Sequence, residues 1–329
     1  MGGGICFILL PILFVLVSLG IGSYHIPFSD AVLILGRHLA RLEQTADPMA
    51  VGLVLNVRLP RILGAVMVGA GLAVSGSVFQ ALFGNPLADP YTLGVSNGAG
   101  FGAGLAIVLS FSTVGVQLTA MGFGMSAVGL TFLLSIRNRN SSVTLILSGM
   151  LVSALFSSLV SLIKFTADPF EKLPEIVYWL MGTLVSISYK KLLLILPAYL
   201  LAMAVLLLYR WRVNVLSMGS REAHSFGVDV KRDRMIVILA STLLTSLVVS
   251  IAGIIGWVGI VIPHLARMIV GPDFRRLMPA SASLGICYLL VIDNLCRTLT
   301  SMEIPIGVIT GIIGIPLFVY FIYRRKVSW

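Results

Sequence analysis

The chain has 329 residues, 58% hydrophobic and only 11% charged, with a mean hydropathy of +1.03. That balance excludes a water-soluble globule and points to a polytopic membrane protein, because apolar runs of about 20 residues, each able to cross a ~30 Å hydrocarbon core as a helix, recur along nearly its whole length. The net charge of +10 is read by its placement along the chain rather than as the mark of a nucleic-acid partner.

Breaking the apolar runs at charged, Pro and Gly clusters predicts an all-α fold of about ten transmembrane helices in one domain, 1–329. They fall at 5–22, 60–83, 93–111, 117–136, 141–163, 190–209, 235–253, 255–271, 279–298 and 306–323. The first run lacks a basic leader and a small-residue cleavage site, so it is expected to be a retained helix. Residues 23–59 form the longest outer spacer; in the next, 164–189, PEIVYWLMGTL reads as a short interfacial helix. The largest inner loop is 210–234. Only the turn AGIIG divides 235–271, which as one element is too long for a bilayer. No low-complexity tract and no clear internal repeat is visible.

With the N-terminus in the cytoplasm, 14 of the 23 Lys and Arg fall inside and 9 outside, which predicts that both termini are cytoplasmic. Nine outer cations are many for this rule and ask for a reason. RLPR, Arg58 to Arg61, opens the second helix with two arginines one turn apart, and Arg297 ends the ninth. Such residues fit interfacial snorkelling, or a docking point for carboxylates of a soluble partner, where Arg offers two-point pairing.

Three cysteines, Cys6, Cys287 and Cys296, show no C-x-x-C spacing and read as free thiols in or beside spans. No two histidines or carboxylates share ligand spacing on one helix, so no metal site is assigned. Asp89, Asp293 and Glu303 sit near helix ends or turns, which leaves an ion-coupled transporter without an obvious proton relay. GVSNG around Ser96 fits the G-x-S-x-G pattern of a serine nucleophile, with His264 the one histidine inside a predicted span. No strand-turn-helix setting surrounds it, so an intramembrane hydrolase is the weaker alternative. GAGFGAG misses the dinucleotide fingerprint, and no G-x-x-x-x-G-K-[ST] occurs. Gly98/Gly102, Gly100/Gly104 and Gly307/Gly311 are small pairs suited to close helix packing. In the inner loop, NVLSMGSREAHSFGVDV has glycines bracketing a short amphipathic helix, suited either to a solvated connection or to mating with a soluble subunit.

The stretches RLPRILGAVMVGAGLAVSGSVFQALFGNPLADPYTLGVSNGAG, GSREAHSFGVDV, GWVGIVIPHLARMIVGPDFRRLMPASASLG and IPIGVITGIIGIPLFVYF together resemble the FecCD-type permeases. These are membrane subunits of ATP-binding-cassette importers for ferric siderophores, haem and cobalamin. The resemblance implies the type II importer architecture: a homodimer in the cell inner membrane, two cytoplasmic ATPase subunits, and a periplasmic or lipoprotein binding protein docked outside. It implies docking by Arg58, Arg61 and Arg297. It also implies a coupling helix spanning Met218, Gly219, Ser220, Arg221, Glu222, Ala223, His224 and Gly227, with Ser220 and His224 departing from the Glu and Arg frequent in the family. Asn85 and Leu87 map to a cytoplasmic gate, joined by Ser141 and Ser142 at the start of the fifth helix. No cofactor is expected in this chain; ATP and Mg would be held by the partner ATPase, so the chain itself is not an enzyme. Substrate choice is expected to rest mainly with the binding protein, with an iron chelate first, haem and cobalamin next, and an oxyanion such as molybdate also compatible.

Overall fold

The computed structural model describes residues 2–135, 142–300 and 302–324. Among them every regular element is helical. The order is α1 (Gly2–Gly20), α2 (Phe28–Leu39), α3 (Pro48–Gly52), a π-helical stretch (Leu53–Arg58), α4 (Leu59–Phe83), a 3-10 turn (Pro90–Leu93) and α5 (Val95–Val108). There follow α6 (Thr113–Ser135), α7 (Ser142–Thr166), α8 (Lys172–Leu180), α9 (Tyr189–Ser217) and α10 (Ser220–Ser225). The chain then forms α11 (Val230–Ala252), α12 (Val258–Val270), α13 (Phe274–Thr298) and α14 (Ile306–Arg324). Six helical runs are long and apolar enough to cross a membrane, and four shorter apolar helices accompany them. The chain is therefore a multi-pass membrane protein.

One helix forms the hub. In the most apolar window of the run that ends in α4, 89% of residues are buried, against 28% in α9. Helices α9, α11, α12 and α13 all pack on α4. Closeness comes from glycine meeting backbone: a methyl on Gly76 would collide with the Gly259 carbonyl of α12, and one on Gly69 with the Gly285 carbonyl of α13. Without a hydrophobic driving force between helices in lipid, such backbone proximity supplies dispersion contact that larger side chains would prevent. Gly98 and Gly102 do the same for α5 on α6, where added methyls would press on the carbonyls of Phe123 and Thr119.

The segment 23–59, read from sequence as a spacer, carries two helices. Helix α2 buries Ala31 and Ile34, three residues apart, while most of its remaining surface is exposed. Its amphipathic face is too short to stand out beside runs of 20 apolar residues. Asp47 caps α3 through Ala50 N–H at 3.3 Å, with Pro48 next in the first turn. From Pro48 the helix runs on to Phe83. The proline at position 60, expected to start a helix, instead sits inside one. It has no N–H to donate backward, and the wider π turn at Leu53–Arg58 lies just where that bond is missing.

Between α11 and α12 the chain breaks at Gly253 and Trp257, both with φ of 70°. The Gly253 position faces the Trp179 carbonyl too closely to admit a side chain. Thr183 N–H donates to Ala252 O at 2.7 Å, and the N–H groups of Ile306 and Gly307 donate to Gly182 O at 3.0 Å and Met181 O at 3.1 Å. The turn after α8 therefore pins the end of α11 and the start of α14 together.

Candidate functional site

At the end where α4 begins, Arg58, Arg61 and Arg297 converge. Each is 5% exposed, and each already has protein acceptors. Arg58 donates to Leu19 O at 2.7 Å and to the Tyr24 carbonyl, so it ties α4 to the end of α1. Arg61 pairs with Asp293 at 2.8 Å and with Glu303 at 2.6 Å. Arg297 reaches the other Asp293 oxygen at 3.1 Å from one turn along α13 and donates to Ile21 O at 3.2 Å. The group therefore opens outward through a cleft of about 70 Å³ edged by Gly22, Ser23 and Tyr24, rather than as three free side chains. Three cations against two carboxylates leave one surplus positive charge there. Asp293 is fully buried, whereas the Glu303 side chain is 31% exposed and is the carboxylate nearer to solvent.

At the other end of α4 the chain reverses through Gly84, in the left-handed region with φ of 57°. Asn85 Oδ1 accepts Leu87 N–H at 3.0 Å, which fixes the turn and leaves Leu87 52% exposed at its tip. Gln80 braces it: Nε2 donates to Pro86 O at 2.9 Å and to Ile260 O at 3.1 Å. Asp89 caps the 3-10 turn through Thr92 N–H at 3.1 Å. Burial pushes its carboxyl up to about 7. Of the two serines assigned to the same region, Ser141 lies outside the described residues and Ser142 opens α7.

Ser96 is buried in the first turn of α5, beside the Tyr91 hydroxyl that donates to Ile255 O at 2.7 Å. His264 stands edge-on to Phe318 of α14, ring centres 5.6 Å apart. Among the described residues no group of three or more His, Cys, Asp or Glu is arranged to hold a metal ion.

Helix α10 stands on short brackets. Gly219 and Gly227 have φ of 116° and 73°, a conformation that side chains disfavour. Ala223 is fully buried, while Met218 and Phe226 are each 59% exposed beside exposed Arg221, Glu222 and His224. The outer face of α10 is thus a mixed apolar and charged surface. Two contacts hold its base. Arg212 Nη1 grips both oxygens of buried Asp233 at 2.7 and 2.8 Å, joining α9 to α11. Asn214 donates to Asp273 at 2.7 Å and accepts Phe274 N–H at 2.7 Å, joining α9 to the start of α13. The Arg275 backbone N–H, then Asn214, hold the Asp273 carboxyl below the usual carboxylate range.

These features have close counterparts. Residues 9–324 match the FecCD transport family. The chain belongs to that family. It is similar to the molybdate import system permease of Haemophilus influenzae, 43% identical over 97% of this chain and 94% of the relative. It is 39% identical to a cobalamin import permease of Halobacterium salinarum over 83% of this chain and 73% of that one, and 38% identical to a hemin permease of Yersinia pestis over 83% of each. A solved metal-chelate-type ABC transporter in an inward-facing conformation superposes with a TM-score of 0.88 at 41% identity, over 98% of this chain and 99% of that one. This FecCD protein is therefore a membrane-embedded transport subunit of the ABC permease class.

Several residues that organise these regions do not announce themselves in sequence. Gln80 and Asn214 lie inside quoted stretches without standing out in them, and the Arg212–Asp233 pair lies outside those stretches. The Asp293–Arg297 pair has visible i,i+4 spacing. Its meeting with Arg61 does not follow from that spacing.

Proposed function

We propose that this FecCD protein is the membrane subunit of an importer for a molybdate-class oxyanion. The observation that carries it is full-length similarity to a molybdate permease at 43%, above the 39% and 38% of the cobalamin and hemin permeases over shorter stretches. An iron chelate is the second reading, favoured by the 41% identical metal-chelate-type transporter. In either case ATP and Mg are held by a separate ATPase seated on α10, no cofactor resides in this chain, and both termini face the cytoplasm of an inner-membrane protein.

A second copy completes the path. Helix α7 exposes Ala154, Ser157, Ser158 and Ser161 among the large apolar Met150, Leu151, Leu155 and Leu162. Its serine hydroxyls turn back to backbone, Ser158 to Ala154 O at 3.0 Å and Ser161 to Ser157 O at 3.0 Å. Small residues with self-satisfied hydroxyls, set among large apolar ones, suit packing on another helix.

On the opposite side from α10, the arginine cleft is the docking point for carboxylates of a substrate-binding protein, with Arg58, Arg61 and Arg297 supplying its field and Glu303 moderating it. Glu303→Gln is the discriminating variant, since it raises the local charge and leaves Asp293 paired. Tighter capture of the cognate binding protein at low salt supports the docking reading; unchanged capture rejects it. For the substrate, metal analysis of that binding protein purified from cells supplied with both metals should find molybdenum. Iron would select the second reading.

A further inference from the structure

Two adjoining hollows lie at the end of the bundle opposite α10, where α5 and α11 finish and α6 and α9 begin. The open one, about 450 Å³, is lined by Ser112, Thr113, Ser186, Ser188, Lys190 and Lys191. The inner one, about 240 Å³, shares Thr113, Ser186 and Lys191 and runs beneath α8 past Gln117, Glu175 and Trp179. We propose that together they bind a phosphoethanolamine headgroup, the amine-bearing zwitterion of a membrane phospholipid.

The open hollow suits the phosphate. The N-termini of α6 and α9 both front it; Ser112 Oγ accepts Gly115 N–H at 3.3 Å in the first turn of α6, while the leading N–H groups of α9 lack intrahelical acceptors. Ser188, at the N-cap of α9, makes no side-chain capping bond, so those N–H groups keep no acceptor from it. Lys190 is exposed, and Lys191 Nζ is held at the rim by Ser186 Oγ at 3.0 Å. Two ammonium groups and two helix dipoles therefore address one open volume.

The inner hollow suits the amine. Gln117 is 2% exposed and lines the cavity. Its Nε2 donates to Lys191 O at 3.3 Å, which fixes the orientation of the amide, and its Oε1 has no protein donor. A buried acceptor left unpaired is costly, so the site calls for a donor. The Glu175 carboxylate and the Tyr178 and Trp179 rings complete a lining that favours a cation. A primary ammonium can donate to Gln117; the quaternary ammonium of choline cannot. Phe111 lines the same cavity at 49% exposure, and Leu109, Leu118 and Leu193, each within two positions of a lining residue along the chain, are 55%, 48% and 64% exposed. Those surfaces give the acyl chains an apolar track, which favours a lipid over a soluble zwitterion.

The full-length permease, delipidated in detergent, is titrated with short-chain phosphatidylethanolamine, phosphatidylcholine and phosphatidylglycerol and with free phosphoethanolamine. Thermal unfolding and native mass spectrometry are the readouts. Phosphatidylethanolamine should be retained at about one molecule per chain and raise the unfolding temperature, with Gln117→Leu and Lys191→Met each weakening it about tenfold or more. Gln117→Glu, which keeps size and acceptor but gives up the bond to Lys191 O, should retain binding, and the lipid-free unfolding temperature of Gln117→Leu shows whether its loss of binding is misfolding. Equal effects of the choline or glycerol lipid would overturn the amine assignment. Free phosphoethanolamine binding as tightly as the lipid would overturn the lipid assignment, and retention unaffected by both variants would reject the site, leaving only water on Gln117.

Discussion

Arg61 and Asp293 stand 232 positions apart in the chain and meet at 2.8 Å, both almost wholly buried. Arg297 holds the second oxygen of the same carboxylate, so one anion on α13 organises two cations. An aspartate placed so deep is tolerable only because it is paired on both sides. The three arginines are thus structural members of the α1–α4–α13 junction as well as a source of positive field. Removing Asp293 as Asp293→Asn should lower stability by about 3–5 kcal/mol, the usual effect of breaking a buried pair. Thermal unfolding in detergent measures it, and the joint replacement Arg61→Met with Asp293→Leu should recover little of the loss, because it leaves buried Arg297 without its carboxylate and Glu303 without its arginine. Full recovery by the pair would show that Arg297 and Glu303 do not depend on Asp293 and Arg61 for their pairing.

The Arg212–Asp233 clamp carries a second prediction. Asp233 is fully buried, while the Arg212 side chain is 47% exposed and stacks 5.0 Å from the Tyr209 ring centre. Arg212→Ala should cost about 1–3 kcal/mol, discounted for the solvent that reaches the arginine. Because the clamp joins the helices flanking α10, hydrogen exchange over 218–227 should quicken in the variant. An unchanged exchange pattern would separate the clamp from α10.

Asp89 predicts a pH effect on the break after α4. Its carboxyl titrates near 3.8 when unfolded and at about 7 in the fold, because burial disfavours its charge. Between those values the folded chain keeps a proton that the unfolded chain has released. Stability should therefore fall as pH rises from about 4 to about 7 and level off beyond. Asp89→Asn should flatten that slope, with unfolding temperatures at about pH 5 and pH 8 as the comparison; an unaltered slope would assign the pH dependence to other groups.

Gly76→Ala tests the hub. The added methyl would meet the Gly259 backbone, which cannot swing aside as a side chain can. The expected penalty is about 1–3 kcal/mol or more, with α12 displaced from α4. Ala substitution at Gly122, where a methyl meets nothing within 4 Å, should instead leave stability unchanged or slightly raised.

Much of this was legible in the residues. Hydropathy over windows of about 20 residues reports the solvent a helix needs, so the membrane class and most helical runs could be read directly. Gly219 and Gly227 delimit α10 because left-handed backbone selects glycine. The short helix in PEIVYWLMGTL appears as α8. Helix α2 was missed because two buried residues make a weak period, and the run from Pro48 was read as starting later because proline marks a first turn more often than a π-widened interior.

Local properties can be read along the chain: apolar length, breaks at Gly and Pro, and the positions of charge. Partnership comes only with folding. The chain announces Arg58, Arg61 and Arg297 as outer cations, and folding alone commits them to Leu19, Asp293 and Glu303. The physical reason is that pairing energy depends on distance and burial across helices, and neither is written in spacing along a single one.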